Sequence, residues 1–465
     1  MNPIPVILIF DVGKTNKKVL LFNEHYNILL ERSAQLPETK DEDGDPCEDL
    51  SLLSRWIRES YDEIAADKEY VIKAVNFSAY GASFVYLNDY LEPETPLYNY
   101  LKPYPESLRR QFYDTYGPED KIAKETASPA LGSLNSGMQL YRLKYEQPEV
   151  FARVKYALHL PQYLSHLITG AVGSDITSIG CHTQLWDFAK NDYHEWVYRE
   201  ELQFKLAPIY NGDEITNIPD GEAVIPVGIG LHDSSAALIP YLANFHEPFI
   251  LLSTGTWCIS LNPFNQSPLT EEELRKDCLC YIGYQGEPVK ASRLFSGNEH
   301  ELQTRRLADW FKVDNNYYES VACDPALIRA LRLKAEGAPE ETADALLRQC
   351  PFAGRDLQNF ASYEEAYHQL ILDLIRQQVV STGLVLKGSP VKRIFVDGGF
   401  SKNPVYMHLL AEAFPHIEVF AASIAQATAL GAAIAIHKSW NDNSMPGDII
   451  ALKYYAVNPS FFVGK

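Results

Sequence analysis

The chain has 465 residues, 46% apolar and 22% charged, a makeup that excludes disorder and a membrane-embedded body. Its formal charge of −20 argues against nucleic acid and anionic membrane surfaces as partners. The length exceeds one ordinary hydrophobic core and suits two domains.

The N-terminus, Met1 to Pro5 and then Val6 to Phe10, lacks a basic lead and a cleavage site, so it reads as a first strand and not as a signal peptide. No run approaches the roughly 18 apolar residues of a membrane helix. Seven cysteines, an odd number with no paired C-x-x-C spacing, point to reduced thiols in a cytoplasmic protein.

The first strand enters a glycine turn, Asp11-Val12-Gly13-Lys14-Thr15-Asn16-Lys17-Lys18, and leaves through Val19-Leu20-Leu21-Phe22, which predicts a β-hairpin. The Gly13-Lys14-Thr15 ending is not a P-loop, because that loop's first glycine would fall on Leu8 inside the strand. Lys40 to Asp45 reads as an acidic surface loop. Leu53, Trp56, Ile57, Tyr61 and Ile64 give a helical period, and Val71 to Phe77 gives a strand. That strand ends in the small-residue turn Ser78-Ala79-Tyr80-Gly81-Ala82-Ser83 before the strand Phe84 to Leu87. Strand ends of this kind are where α/β sheets bind ligands. Residues 92–130, rich in Pro, Tyr and charge, read as irregular.

Leu158 to Thr169 predicts a helix with Pro161 near its start and Gly170 after its end. Cys181 and His182 follow. Adjacent side chains rarely converge on one atom and no third ligand lies near them in sequence, so neither a nucleophile nor a metal site is expected there. At the centre, Val224 to Ile229 is a strand and His232-Asp233-Ser234-Ser235 opens a helix of small residues. Asp233 is placed to cap that helix. A carboxylate held rigidly there, at the mouth of a cleft, is equally placed to accept a proton.

The opening grammar then recurs. Ile250-Leu251-Leu252, the turn Ser253-Thr254-Gly255-Thr256 and the strand Trp257 to Leu261 form a second hairpin. Two such tips facing each other would hold a polyphosphate from both sides through backbone N–H groups and hydroxyls. A long helix through Ala366, Leu370, Leu374 and Ile375 leads to the strand Lys392 to Val396 and the turn Asp397-Gly398-Gly399. Asn403-Pro404 starts a helix, cap then proline. Ala425 to Ile434 is a helix of very small side chains, suited to close packing or to a nucleotide slot.

Taken in order, these motifs resemble the FGGY carbohydrate kinases. The resemblance spans nearly the whole chain and is strongest, through His232-Asp233-Ser234, Ser253-Thr254-Gly255-Thr256-Trp257 and Leu160 to Gly170, with the rhamnulokinase and fuculokinase branch. It implies an α/β fold of two ribonuclease H-like (actin/hexokinase-type) domains, each a mixed β-sheet flanked by helices, with a cleft between them. The expected division is 1–246 for the sugar side, 247–440 for the ATP side and 441–465 for an extension packed on the fold. The implied activity is transfer of the ATP γ-phosphate to a ketose, a 6-deoxy ketohexose or alternatively a ketopentose. An actin- or chaperone-like ATPase of the same superfamily is the rival reading. By position the resemblance makes Asp233 the general base, Gly81, Ala82, His232 and Ser234 the sugar contacts, and Asp11 the carboxylate for Mg²⁺. It assigns Lys14, Thr15, Asn16, Lys17, Lys18, Thr256, Gly398, Gly399 and Asn403 to ATP. The implied partners are the sugar and ATP, without nucleic acid or membrane, in a monomer or homodimer. The segments 88–104 and 293–300 depart from the branch's usual sugar-contact pattern.

Overall fold

The structure, a computed structural model, describes residues 3–221, 223–336 and 341–457. Two seven-stranded mixed sheets organise it. In the first, Ile28–Ala34, Lys17–Asn23 and Ile4–Val12 run antiparallel as a meander. Ile4–Val12 then pairs parallel with Tyr70–Ala79, which pairs parallel with Ala223–Gly228 and Leu231–His232. In the second, Pro288–Leu294, Cys258–Asn262 and Phe249–Thr254 form the meander. Phe249–Thr254 is then parallel to Arg393–Gly398, itself parallel to Glu418–Ser423. The two halves therefore repeat one topology, and the two glycine hairpins occupy the same position in each.

Helices cover both faces of these sheets, which is why the central strands are continuous apolar runs and not alternating ones. Val6 to Phe10 are all fully buried. The helix Tyr363–Leu386 backs the second sheet, its buried side chains including Leu370, Leu374 and Thr382, whose hydroxyl lies 2.9 Å from that of Ser260. Asn403 caps Pro404–Ala413 as its dipeptide predicts, accepting from the Tyr406 N–H.

Three expectations are corrected. Residues 92–130 are not wholly irregular, because Glu106–Tyr116 and Glu119–Glu125 are helices that bury Leu108, Phe112 and Ile122. The acidic run at 40–45 is not a plain surface loop, since Asp41 is buried and ion-paired at 2.5 Å with Lys102. The residue at the cap position of Asp233–Asn244 is His232, whose Nδ1 lies 3.2 Å from the Ser234 nitrogen, and Asp233 is the first helical residue.

The helix Ala427–Ala435 lies in sequence between Glu418–Ser423 and Ala451–Tyr455 of the second sheet yet packs on the first domain. The Asn76 amide donates to the Ala432 carbonyl at 2.8 Å, and Gly431 lies against the Asp233 helix. Close packing explains its small side chains. The strand Ala451–Tyr455 closes the edge of the second sheet, and residues 458–465 of the expected extension lie outside the described residues. Among the described residues no helix is long and apolar enough to cross a membrane.

Candidate active site

Asp233 sits where the short strand Leu231–His232, paired beside Ser78 and Ala79, turns into a helix. The surrounding protein encloses it, yet 34% of its side chain stays accessible, so a small ligand can reach the carboxylate. Its Oδ1 lies 3.0 Å from His232 Nδ1 and accepts from the Ser234 N–H at 2.6 Å and the Ser234 hydroxyl at 3.3 Å. Burial alone would raise its pKa, but the His232 imidazole and the Ser234 donors outweigh burial and hold the carboxyl below its ordinary value. Asp233 is therefore ionised at neutral pH. Burial opposes charge on His232 as well. Cys181 and Asp233 prevail, and its pKa stands well above the imidazole range.

Gly81 is brought to this pair. A β-carbon there would stand 2.3 Å from His232 Cδ2, so the turn after Tyr70–Ala79 must lack a side chain at that point. Tyr100, from the 88–104 segment, lies within range of the Asp233 charge, which joins burial in raising its phenol. Ala82 is buried, and its carbonyl accepts from Gln139 at 2.8 Å. The buried polar groups near His232 hold unused hydrogen-bonding capacity. Ser78 Oγ, His159 Nδ1, Gln162 Oε1, Asp175 Oδ2 and Ser178 Oγ have no partner. Thr177, between them, takes the His232 N–H at 3.0 Å. These side chains are themselves 0–1% exposed, so the unused capacity lies behind the surface that Asp233 presents.

Asp11, at the end of the first strand, faces the same place. Burial pushes its carboxyl up to about 6. A hydrogen bond from Thr428 at 2.7 Å resists the rise, the Asp233 charge adds to it, and Lys18 opposes it. Two carboxylates in mutual range, with Lys18 beside Asp11, form a donor set that fits a hard divalent cation. Lys18 Nζ donates to Gln426 at 2.6 Å and lies 3.8 Å from Glu31, so the first hairpin touches the second domain. Thr15 and Asn16 are exposed at the tip.

The second hairpin presents Gly255 and Thr256 to solvent, as does the Gly398-Gly399 turn. Thr254 joins the two, its hydroxyl donating to the Asp397 carbonyl at 2.5 Å and accepting from the Phe400 N–H. Gly398 takes a left-handed φ of 89°, and a β-carbon there would lie 1.9 Å from the Thr254 carbonyl oxygen. The two glycine turns therefore form one exposed backbone surface.

Two assigned residues are corrected. Lys17 is 1% exposed and its ammonium is ion-paired with Glu48 at 2.8 Å, so its charge serves the core and not a phosphate. Asn403 spends its amide inside the protein, capping its helix and donating to the Tyr367 hydroxyl at 2.7 Å. Lys14, at the tip beside Thr15 and Asn16, turns to Glu38 at 2.5 Å. Sequence reasoning missed Thr254, Thr428 and Gln426, whose partners lie far along the chain. It also missed a third neighbour for Cys181 and His182, because His232 comes to them across the fold.

Residues 6–239 match the N-terminal domain of the FGGY family of carbohydrate kinases, and residues 246–444 match the C-terminal domain of carbohydrate kinase FGGY. The chain is 25% identical over 403 residues to a rhamnulokinase of Klebsiella pneumoniae (strain 342), covering 80% of this chain and 76% of that one. It superimposes on the crystal structure of a carbohydrate kinase from Novosphingobium aromaticivorans with a TM-score of 0.77 at 22% identity, over 97% and 96% of the two chains. A ligand-bound xylulose kinase from Lactobacillus acidophilus gives a TM-score of 0.78 at 19% identity, over 98% and 94%.

Proposed function

The chain belongs to the FGGY family of carbohydrate kinases, and from that premise we propose that it phosphorylates the terminal hydroxyl of a 6-deoxy ketohexose, L-rhamnulose or L-fuculose, with Asp233 as the general base. That it is an ATP-dependent sugar kinase follows from the family. The observation that carries the catalytic assignment is the ionised, partly open Asp233 carboxylate, oriented by His232 beside the turn at Gly81. The likeness to a rhamnulokinase favours the deoxyketose.

In this reading the sugar's terminal hydroxyl donates to Asp233, which takes the proton as the oxygen attacks the γ-phosphorus in line with the departing ADP oxygen. His232 stabilises the anionic base and fixes its direction. Gly81 allows that imidazole its place. The tips at residues 13–16 and 255–256 and the Gly398-Gly399 turn offer backbone N–H groups to the phosphates, and Lys18 adds positive charge. Asp11, steadied by Thr428, would hold Mg²⁺, which supplies charge neutralisation on the phosphates when bound. Closure of the two domains excludes water and suppresses idle hydrolysis of ATP.

A coupled ADP-release screen over L-rhamnulose, L-fuculose, D-xylulose and D-ribulose tests the substrate class. The expected result is a kcat/KM at least tenfold higher for a 6-deoxy ketohexose. A ketopentose leading the series would overturn that choice.

A further inference from the structure

On the enclosed side of Asp233, three side chains able to bind a metal converge. Cys181, His182 and His232 each present one ligand atom, and these atoms lie within 4.8 Å of one another. Cys181 and His182 follow the short helix Ile176–Ile179, whereas His232 caps the Asp233 helix. Sequence adjacency therefore supplies two ligands and tertiary structure the third.

Two further observations bear on this cluster. His182 reaches its position with a left-handed φ of 42°, a backbone conformation costly for a residue with a β-carbon. Its Nδ1 is enclosed and has no hydrogen-bond partner. His232 already has the outer partner typical of a metal-binding histidine, because its Nδ1 is 3.0 Å from a carboxylate, that of Asp233. His232 also hydrogen-bonds with Cys181, a contact that an ion held between them would replace.

We propose that Cys181, His182 and His232 form a three-ligand site for a borderline-soft divalent cation, Zn²⁺ foremost, and that filling it switches the kinase off. One thiolate and two imidazoles suit zinc and disfavour magnesium, so the site is chemically distinct from the oxygen donors at Asp11. Tetrahedral zinc, with bonds of about 2.0–2.3 Å, asks the ligand atoms to stand roughly 3.3–3.8 Å apart, which small side-chain adjustments supply. Binding releases to solvent the Cys181 thiol proton and the proton that the His232 imidazolium carries on its ligating nitrogen, keeps the Nδ1 proton directed at Asp233, and leaves the fourth position to water. The ion then fixes His232 and places positive charge beside Asp233, which lowers the basicity of the carboxylate. This inhibitory step rests on Asp233 being the base, whereas the binding step does not.

The test is Co²⁺ titration of the full chain after chelator treatment, without sugar or ATP. The expected result is a thiolate-to-cobalt charge-transfer band with four-coordinate d–d bands, complete at one equivalent and bleached by Zn²⁺. Cys181→Ser removes the charge-transfer band, and Cys350→Ser, elsewhere in the second domain's core, keeps it. His182→Gln weakens binding independently should Cys181→Ser fold poorly. Asp233→Asn lowers affinity about 10- to 100-fold as an outer partner should. Absence of the band, or its survival in Cys181→Ser, overturns the site. Stoichiometric Zn²⁺ should also suppress sugar-dependent turnover reversibly with chelator, and undiminished turnover in the zinc-loaded enzyme overturns the switch. A failure to turn over any ketose would sink the substrate reading and leave the cobalt spectrum unchanged.

Discussion

Gly431 lies so close to Ala236 that a β-carbon on the glycine would stand 1.8 Å from the alanine carbonyl oxygen. The helix Ala427–Ala435 thereby meets the helix that begins with Asp233, backbone against backbone. Gly431→Ala should cost about 2–3 kcal/mol, the range of overpacking a rigid contact, because a main-chain oxygen cannot rotate aside. Urea unfolding measures this, and an unchanged midpoint would show that the helices separate freely.

Gly81 and His232 form a second tight pair, with a side chain as the yielding partner. Gly81→Ala should therefore fold and push the imidazole off Asp233. The expected signature is at least a tenfold loss in kcat/KM for the sugar with the KM for ATP little changed, read by steady-state kinetics.

The neighbouring lysines of the first hairpin should separate cleanly. Lys17→Met strands Glu48, which is 2% exposed and otherwise held by the Tyr80 hydroxyl at 3.3 Å. Loss of one partner from a buried ion pair costs about 3–5 kcal/mol. Lys18→Ala leaves a partly open site and should raise the KM for ATP with little change in melting temperature. The reverse pattern would return the phosphate role to Lys17.

Asp11 offers a pH test. Its carboxyl, raised to about 6 in the folded protein, binds a proton there more readily than in the unfolded chain. The wild-type protein without Mg²⁺ should thus lose stability as pH rises through about 6, and Asp11→Asn should lack that loss. A rise from 3.8 to about 6 corresponds to roughly 2–3 kcal/mol above pH 7. Because the loss begins near the unfolded value of 3.8 and is complete just above 6, melting curves between about pH 3.5 and 8 check it, and parallel profiles for the two proteins would contradict it.

Much of the scaffold was legible from residue order because its signals are local. Ile7 to Phe10 and Ile250 to Leu252 are buried on both faces, so each appears as an unbroken apolar run ending at a glycine turn. Asn403-Pro404 announced its helix in two residues. What stayed hidden depended on distant partners. Lys17 looked like a phosphate ligand until Glu48, 31 residues on, was seen to hold it. Asp41 looked like a surface acid until Lys102 buried it. The helix Glu106–Tyr116 was masked by its polar, tyrosine-rich composition, although Leu108 and Phe112 keep its inner face apolar. The third neighbour of Cys181 and His182 left no local trace, since His232 lies beyond five intervening strands along the chain.

The Asp233→Asn enzyme bears most directly on the central claim. The substitution keeps the shape and removes the proton acceptor. Nucleotide binding, followed by calorimetry, should stay close to wild type while sugar-dependent ADP release falls by about 10²–10⁴-fold. Sugar phosphorylation at the wild-type rate in that variant would contradict the assignment of Asp233 as the base.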